Sequence, residues 1–191
     1  MSVNTTPTCP TGCGTLLPDL DFNYCAPVNS FGEVSHVFLA AIDAECFTDW
    51  TSITEWTARL NNTTDDPDAI RFMHVAADWP VGERDTIETS LCRKVKTPAT
   101  YTLNIDVDDL SDLNYAFMRA SQCNQTFRMW FATPDYIFGG NCGVEVILNL
   151  DYQIERGCKS IHKIVGTAVW EDPFAPERAT NPLAGTVLTD V

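Results

Sequence analysis

Ala99-Thr100-Tyr101-Thr102-Leu103-Asn104-Ile105-Asp106-Val107-Asp108 is the stretch on which the fold turns. Ala99, Tyr101, Leu103, Ile105 and Val107 hold one phase of a two-residue period. Thr100, Thr102, Asn104, Asp106 and Asp108 hold the other. Such a strand has one dry and one wet face, the habit of antiparallel sheets, because parallel strands are covered on both sides. The period recurs downstream, where Val144, Val146, Leu148, Leu150, Tyr152 and Ile154 face Glu145, Asn149, Asp151 and Gln153, with Ile147 the apolar exception. Arg156-Gly157 predicts a hairpin turn, and Ile161, Val165 and Val169 fall in phase on the return. About a dozen residues per strand would reach ~40 Å, so the pattern predicts a ribbon that completes its packing on a neighbouring subunit.

Upstream, the apolar run 34–42 predicts a strand buried on both faces or a short buried helix, and 70–76 alternates as a mostly buried strand. Phe127, Met129 and Phe131 alternate with Arg128 and Trp130, and Gly139-Gly140-Asn141 marks a turn. Ser52 and Glu55 have capping-box spacing, with Ile53, Trp56, Thr57 and Leu60 at helical intervals after them. A second helix follows the cap candidates Asp109 to Asp112, with Leu110, Leu113, Phe117 and Ala120 on one face. Prolines 7, 10, 18 and 27 keep the N-terminal segment extended, and prolines 173, 176 and 182 do the same for the tail. The expected architecture is mainly β, an antiparallel sandwich or barrel with two short α-helices. An extended arm spans 1–30, the core domain 31–171 and a second arm 172–191.

The 12 Lys and Arg against 26 Asp and Glu give 191 residues a formal net charge of −14. Neutralising phosphates needs a basic patch, so sequence-specific nucleic-acid binding is excluded as an expectation. No apolar window approaches the ~18 residues of a membrane helix. The polar start predicts no secretory leader, hence a reducing compartment with cysteines as thiols. Cys46, Cys92 and Cys158 then read as small buried hydrophobes. Cys9, Cys13 and Cys25, with His36 beyond them, leave three readings open: a Cys₃His zinc site, a disulfide within the arm, or plain thiols.

Other candidate chemistry is sparse. Asp106, Asp108, Asp109 and Asp112 have the density of a calcium loop, but Ser111 and Phe117 stand where its Gly and Glu belong. Strand-end polarity and helix capping account for them. Nucleophile-elbow, zincin, Walker and dinucleotide-binding motifs are missing from the sequence. His74 and His162 read as sheet histidines. The five tryptophans are dispersed as core and interface filler rather than gathered as a carbohydrate platform. No enzyme is expected, and no cofactor beyond the candidate zinc.

With the segment Asp21-Phe22-Asn23-Tyr24-Cys25-Ala26-Pro27, the Trp56 helix, the strands from Ala99 onward and the closing Gly166-Thr167-Ala168-Val169-Trp170-Glu171, the chain resembles the virion structural proteins of tailed bacteriophages. The likeness is to tail-tube-like subunits and spans about residues 20–171. It implies a β-sandwich or barrel with a packing helix, copies joined in rings, commonly hexameric, and rings stacked into a conduit for the genome. It also implies assembly in the host cytoplasm, a place in the virion, and other virion proteins as partners. Open sheet edges would pair between subunits and the arms would latch onto neighbours. Thr100, Thr102, Asn104, Asp106, Asp108, Glu145, Asn149 and Asp151 become lumen-facing candidates, on two strands whose wet faces carry no Lys or Arg. The cysteine-rich arm departs from the tube pattern and keeps a neck or tail-completion ring and a head-decorating subunit beside it. A non-viral binding or adaptor β domain and an acidic-site hydrolase are the alternatives outside the virion.

Overall fold

A computed structural model describes residues 32–62, 66–89, 93–123, 126–154, 156 and 161–185. The apolar run is the strand β1 (Val34–Ala41). Beyond it lie α1 (Ile53–Leu60), β2 (Arg71–Ala77), β3 (Thr86–Thr89), β4 (Arg93–Lys96), β5 (Ala99–Val107) and α2 (Asp112–Ser121). The chain continues through β6 (Thr126–Ala132), β7 (Tyr136–Phe138), β8 (Val144–Gln153), β9 (Lys163–Asp172) and β10 (Arg178–Thr180). Eight strands hydrogen-bond in the order β1-β2-β5-β9-β8-β6-β7-β10, and β1 pairs a second time, with β6. That pairing, from His36↔Ala132 to Ala41↔Phe127, closes six antiparallel strands into a barrel. β7 and β10 extend from β6 outside it. The mainly β, antiparallel fold with two helices is as the alternation predicts.

The barrel interior is filled by side chains from alternate positions. Val37, Leu39, Val75, Tyr101, Leu103, Ile105, Met129, Phe131, Val146, Leu148, Ile164 and Trp170 form one continuous buried cluster. The dry phase of β5 faces it throughout. β1 and β6 are also covered on their outer side, where Phe38, Phe47, Trp50, Trp56, Ile70, Trp130 and Ile137 make a second core. Trp56 of α1 is fully buried there and donates its indole N–H to the Trp50 carbonyl at 2.7 Å. This explains why the 34–42 run has no wet phase.

Several local expectations shift in phase. The two long strands do not project: β8 is bonded to β6 on one edge and to β9 on the other, while β9 is bonded along its length to β5. On β9 the inward residues are Ile164, Ala168 and Trp170, so Val165 and Val169 face out with Thr167. Trp170 sets this register by stacking on Tyr101, centroids 5.2 Å apart, and a one-residue slip would turn every side chain over. Gly166 lies between, where a Cβ would collide with the Asn149 carbonyl oxygen. In α2 the buried residues are Met118 and Ser121, with Phe117 partly covered, whereas Leu113 is 72% exposed. In α1, Ser52 makes no side-chain cap. Its capping-box partner Glu55 instead accepts the backbone N–H groups of Thr48 and Asp49 at 2.9 and 3.0 Å. Ser111 does cap α2, accepting from the Asn114 N–H at 3.3 Å. Part of the tail read as an arm is built in, since β10 pairs with β7 and Leu183 is buried in the outer core. Gly157 of the expected hairpin turn lies outside the described residues.

The expectation of thiols is corrected at Cys46. It forms a disulfide with Cys142, 96 residues away, which ties the loop before α1 to the turn between β7 and β8. Arg128 braces the joint, donating to the carbonyls of Ile42 and Cys142 at 3.0 and 3.2 Å. Neither half is patterned for pairing in sequence; closure of the barrel brings them together. Cys123 is free and exposed, and Cys92 and Cys158 lie outside the described residues.

Two outcomes follow. Gly166→Ala should lower stability by about 1–3 kcal/mol through overpacking, read as a fall in urea midpoint with unchanged slope. Cys142→Ser should cost about 2–5 kcal/mol, since cross-linking a loop of this length restricts the unfolded chain. Reductant should lower the melting temperature of the parent protein and leave that variant's unchanged.

Candidate functional site

The candidate site is the outer face of the three neighbouring strands β5, β9 and β8. The wet phases of β5 and β8 come to one surface because β9 lies between them in register. Thr102, Val169 and Ile147 form one cross-strand row, Asn104, Thr167 and Asn149 the next, and Asp106, Val165 and Asp151 a third. Thr100 is opposite Glu171 at one end. Six of the eight lumen-facing candidates therefore fall on one face or its rim: Thr100, Thr102, Asn104, Asp106, Asn149 and Asp151. Asp108 is exposed just beyond the end of β5. Glu145 is exposed on β8 but is paired with Arg128 of β6, away from β5.

The face is less acidic than its two outer strands alone. Lys163 of β9 donates to the Asp106 carboxylate at 2.6 Å. The centre is uncharged, carrying Thr, Asn, Val and a half-exposed Ile147. Carboxylates sit at both ends, Glu171 at one and Asp106 and Asp151 at the other. Gln122 of α2 donates to the Leu150 carbonyl at 3.1 Å and holds the helix at the Asp151 end of β8. Among the described residues the face presents hydroxyl, amide and aliphatic groups between its carboxylate ends.

A second feature stands apart from the barrel. β3 and β4 form a separate two-stranded sheet in which Ile87 lies opposite Val95 and Thr86 opposite Lys96. Ile87 is 58% exposed and Val95 40%. The ribbon's base is closed by hydrogen bonds between Asp85 and Thr97, and the barrel is joined just below it by the Glu83↔Thr100 bridge. In sequence, 86–96 sets Ile87, Leu91 and Val95 on one side and Glu88, Ser90 and Lys94 on the other, and the cross-strand pairs Ile87↔Val95 and Glu88↔Lys94 agree with that division; Ser90 and Leu91 lie outside the described residues.

Cys9, Cys13 and Cys25, the candidate zinc ligands, lie outside the described residues. His36, weighed as their fourth partner, is instead opposite His74 across β1 and β2, ring centroids 4.4 Å apart. Burial first, and the neighbouring His74 second, hold the His36 imidazole below its ordinary pKa. His162 at the far end of the barrel shares a 3.1 Å hydrogen bond with the Tyr152 hydroxyl. Among the described residues no three His, Cys, Asp or Glu gather as a metal cluster. No described helix is long and apolar enough to cross a membrane. No family model, curated protein or solved structure matches the chain.

The His36 shift has a definite sign. A depressed imidazole pKa means that the unfolded chain binds the proton more readily. The folded state is therefore favoured above about pH 6.5 and loses ground as pH falls below it. Asp49 is held low by hydrogen bonds from Thr51, and Asp66 by those from Asp68 and Asn62, so their contributions are lost only at more acid pH. The melting temperature should decline between pH 7.5 and 5.5, and His36→Gln should flatten that segment while leaving the steeper loss below pH 4.

Proposed function

We propose that this chain is a self-assembling virion structural protein whose copies close into rings and stack into a conduit for a phage genome. The observation that carries the reading is the β3–β4 ribbon. Two strands alone are marginal in water, and this pair keeps Ile87 and Val95 exposed opposite each other. A monomer gains nothing from that arrangement, whereas a second copy can cover both. The occupant follows from charge. The ribbon's second strand reads Arg93-Lys94-Val95-Lys96 in a chain of net charge −14, so the acidic barrel surface of another copy complements it.

The packed barrel bears on where a conduit would run. Its interior is solid with side chains, so a passage has to lie between copies around a ring axis. The β5–β9–β8 face suits the lining: its centre is uncharged, its ends carry carboxylates, and its described cation Lys163 is bonded to Asp106. Phosphate passing such a wall finds little to bind. Barrel closure also changes how subunits join. Each of β1, β2, β5, β9, β8 and β6 has a hydrogen-bonded neighbour on both sides, β2 and β5 through the single pair Ala76↔Asp106, so the open-edge pairing expected from sequence gives way largely to face contacts and the ribbon. Single rings without stacking would mark a neck, tail-completion or head-decorating role. The Cys46–Cys142 disulfide suits an oxidising setting, which a released virion and a non-viral binding or adaptor domain outside the cell share.

Mass photometry and negative-stain microscopy of the purified chain test this. Rings or tubes are expected in the parent protein, and Ile87→Asp should shift them to monomers with little change in melting temperature, because the residue is exposed. A 21.2 kDa monomer at high concentration overturns the assembly reading.

A further inference from the structure

Across the β1–β2 pairing, His36 and His74 stand directly opposite each other, with ring planes inclined at 60°. We propose that this pair is a two-imidazole binding site for a borderline divalent transition-metal ion of the Zn²⁺ and Ni²⁺ class.

The hydrogen bonding prepares one ring for the task. Ser35 Oγ lies 2.8 Å from His36 Nδ1 and donates to the Ala132 carbonyl oxygen at 3.4 Å. A carbonyl can only accept, so with the hydroxyl proton directed to Ala132 the Oγ lone pair is open to an Nδ1–H donor, the tautomer that metal binding through Nε2 requires. That tautomer leaves the His36 Nε2 lone pair free. A second-shell acceptor on the other ring nitrogen is the arrangement that orients metal-binding histidines. Among the described residues His74 makes ring contacts with His36 and Phe72 and no hydrogen bond through its nitrogens. Its ring is exposed, so either nitrogen can turn to the ion.

The backbone supplies the approach. Between Val34↔Ala77 and His36↔His74 the register slips, β2 contributing one residue more than β1. Irregularities of this kind re-aim side chains at strand ends. Metal–nitrogen bonds of about 2.0–2.1 Å at a tetrahedral angle place two ligand nitrogens roughly 3.3 Å apart. In-plane ligation at that angle sets the two ring centroids about 5 Å apart, which the exposed His74 ring reaches from the observed 4.4 Å by a side-chain rotation.

The donor set decides the ion class. Imidazole suits zinc, nickel and copper, whereas calcium and magnesium require oxygen ligands. Without a third His, Cys, Asp or Glu grouped here among the described residues, the site is not a closed structural one. Its remaining coordination positions are left to water or to an incoming donor.

Calorimetric titration of the full-length chain with NiCl₂, and separately with ZnCl₂, tests the site in the parent protein, His36→Gln, His74→Gln and Ser35→Ala. His74 is exposed, so its variant will fold even if the His36 variant does not, and circular dichroism verifies this. The expected result is at least tenfold weaker binding at one site per chain in His74→Gln. Ser35→Ala should weaken it about tenfold through the lost tautomer control. In the parent protein Zn²⁺ should shift the ¹⁵N resonances of both imidazoles. Titrations of His74→Gln that superimpose on the parent's overturn the proposal, whether they show no binding or an ion held by the cysteines of residues 1–30.

Discussion

Closure of β1 onto β6 is the constraint from which the rest of the structure follows. β1 is hydrogen-bonded on both edges, to β2 and to β6, and buried on both faces. A strand so enclosed can carry no charged side chain, and Val34–Ala41 carries none. Its inner face completes the barrel core; its outer face creates a second apolar surface that water would otherwise meet. Trp130 emerges beside it from β6, and α1 exists to cover both. The tryptophan and phenylalanine edges there meet at centroid distances of 4.5–5.7 Å, the tilted geometries aromatic rings prefer. Arg59 of α1 lies over the Phe47 ring at 4.2 Å and bonds the Glu45 and Cys46 carbonyls. The disulfide then fastens the same loop to the β7–β8 turn. Helix, loop, aromatic cluster and cross-link are successive answers to one exposed face.

The legible parts of the fold are those where one face is wet and the other dry. β5 shows this most clearly, and each of its five apolar residues lies in the core. The burial of the 34–42 run was readable too, but its spacing left a doubly buried strand and a short buried helix open, and pairing with both β2 and β6 decides for the strand. The phase of β9 was not readable, because Val165, Val169 and Ile161 look like an inward set by spacing alone. What overrides them is tertiary: Trp170 must stack on Tyr101, and Gly166 must pass under the Asn149 carbonyl. α2 failed similarly, since Met118 supplies the barrel contact that Leu113 was expected to make.

The candidate site divides along the same line. The membership of Thr102, Asn104, Asp106, Asn149 and Asp151 was visible from two alternating strands. That β9 would lie between them, bringing Val165, Thr167, Val169 and Lys163 onto the face, depends on strand order, which spacing does not encode. The histidine pair was hidden for another reason. His36 and His74 are 38 positions apart and each alone reads as a sheet residue; only the antiparallel register sets one against the other. Cys46 and Cys142 are the covalent version of the same limit, joined by topology across 96 residues.

A closed barrel also alters what self-association can mean for such a chain. An open sheet joins its neighbours by backbone hydrogen bonds along an edge, a contact largely indifferent to side chains and therefore prone to continue without limit. Here the barrel strands spend most of those bonds internally, β2 and β5 meeting only at Ala76↔Asp106, and among the described residues β10 ends the sheet while β3 and β4 form a ribbon of their own. Association between barrels must then be read through side chains, which carry sign and shape. The acidic excess makes unguided contact between copies repulsive. In the proposed assembly, a ribbon whose second strand is basic, with an apolar pair beside it, would supply attraction at one place and in one orientation. That combination of a repelling body and one attracting arm is a means of obtaining a closed ring instead of an aggregate.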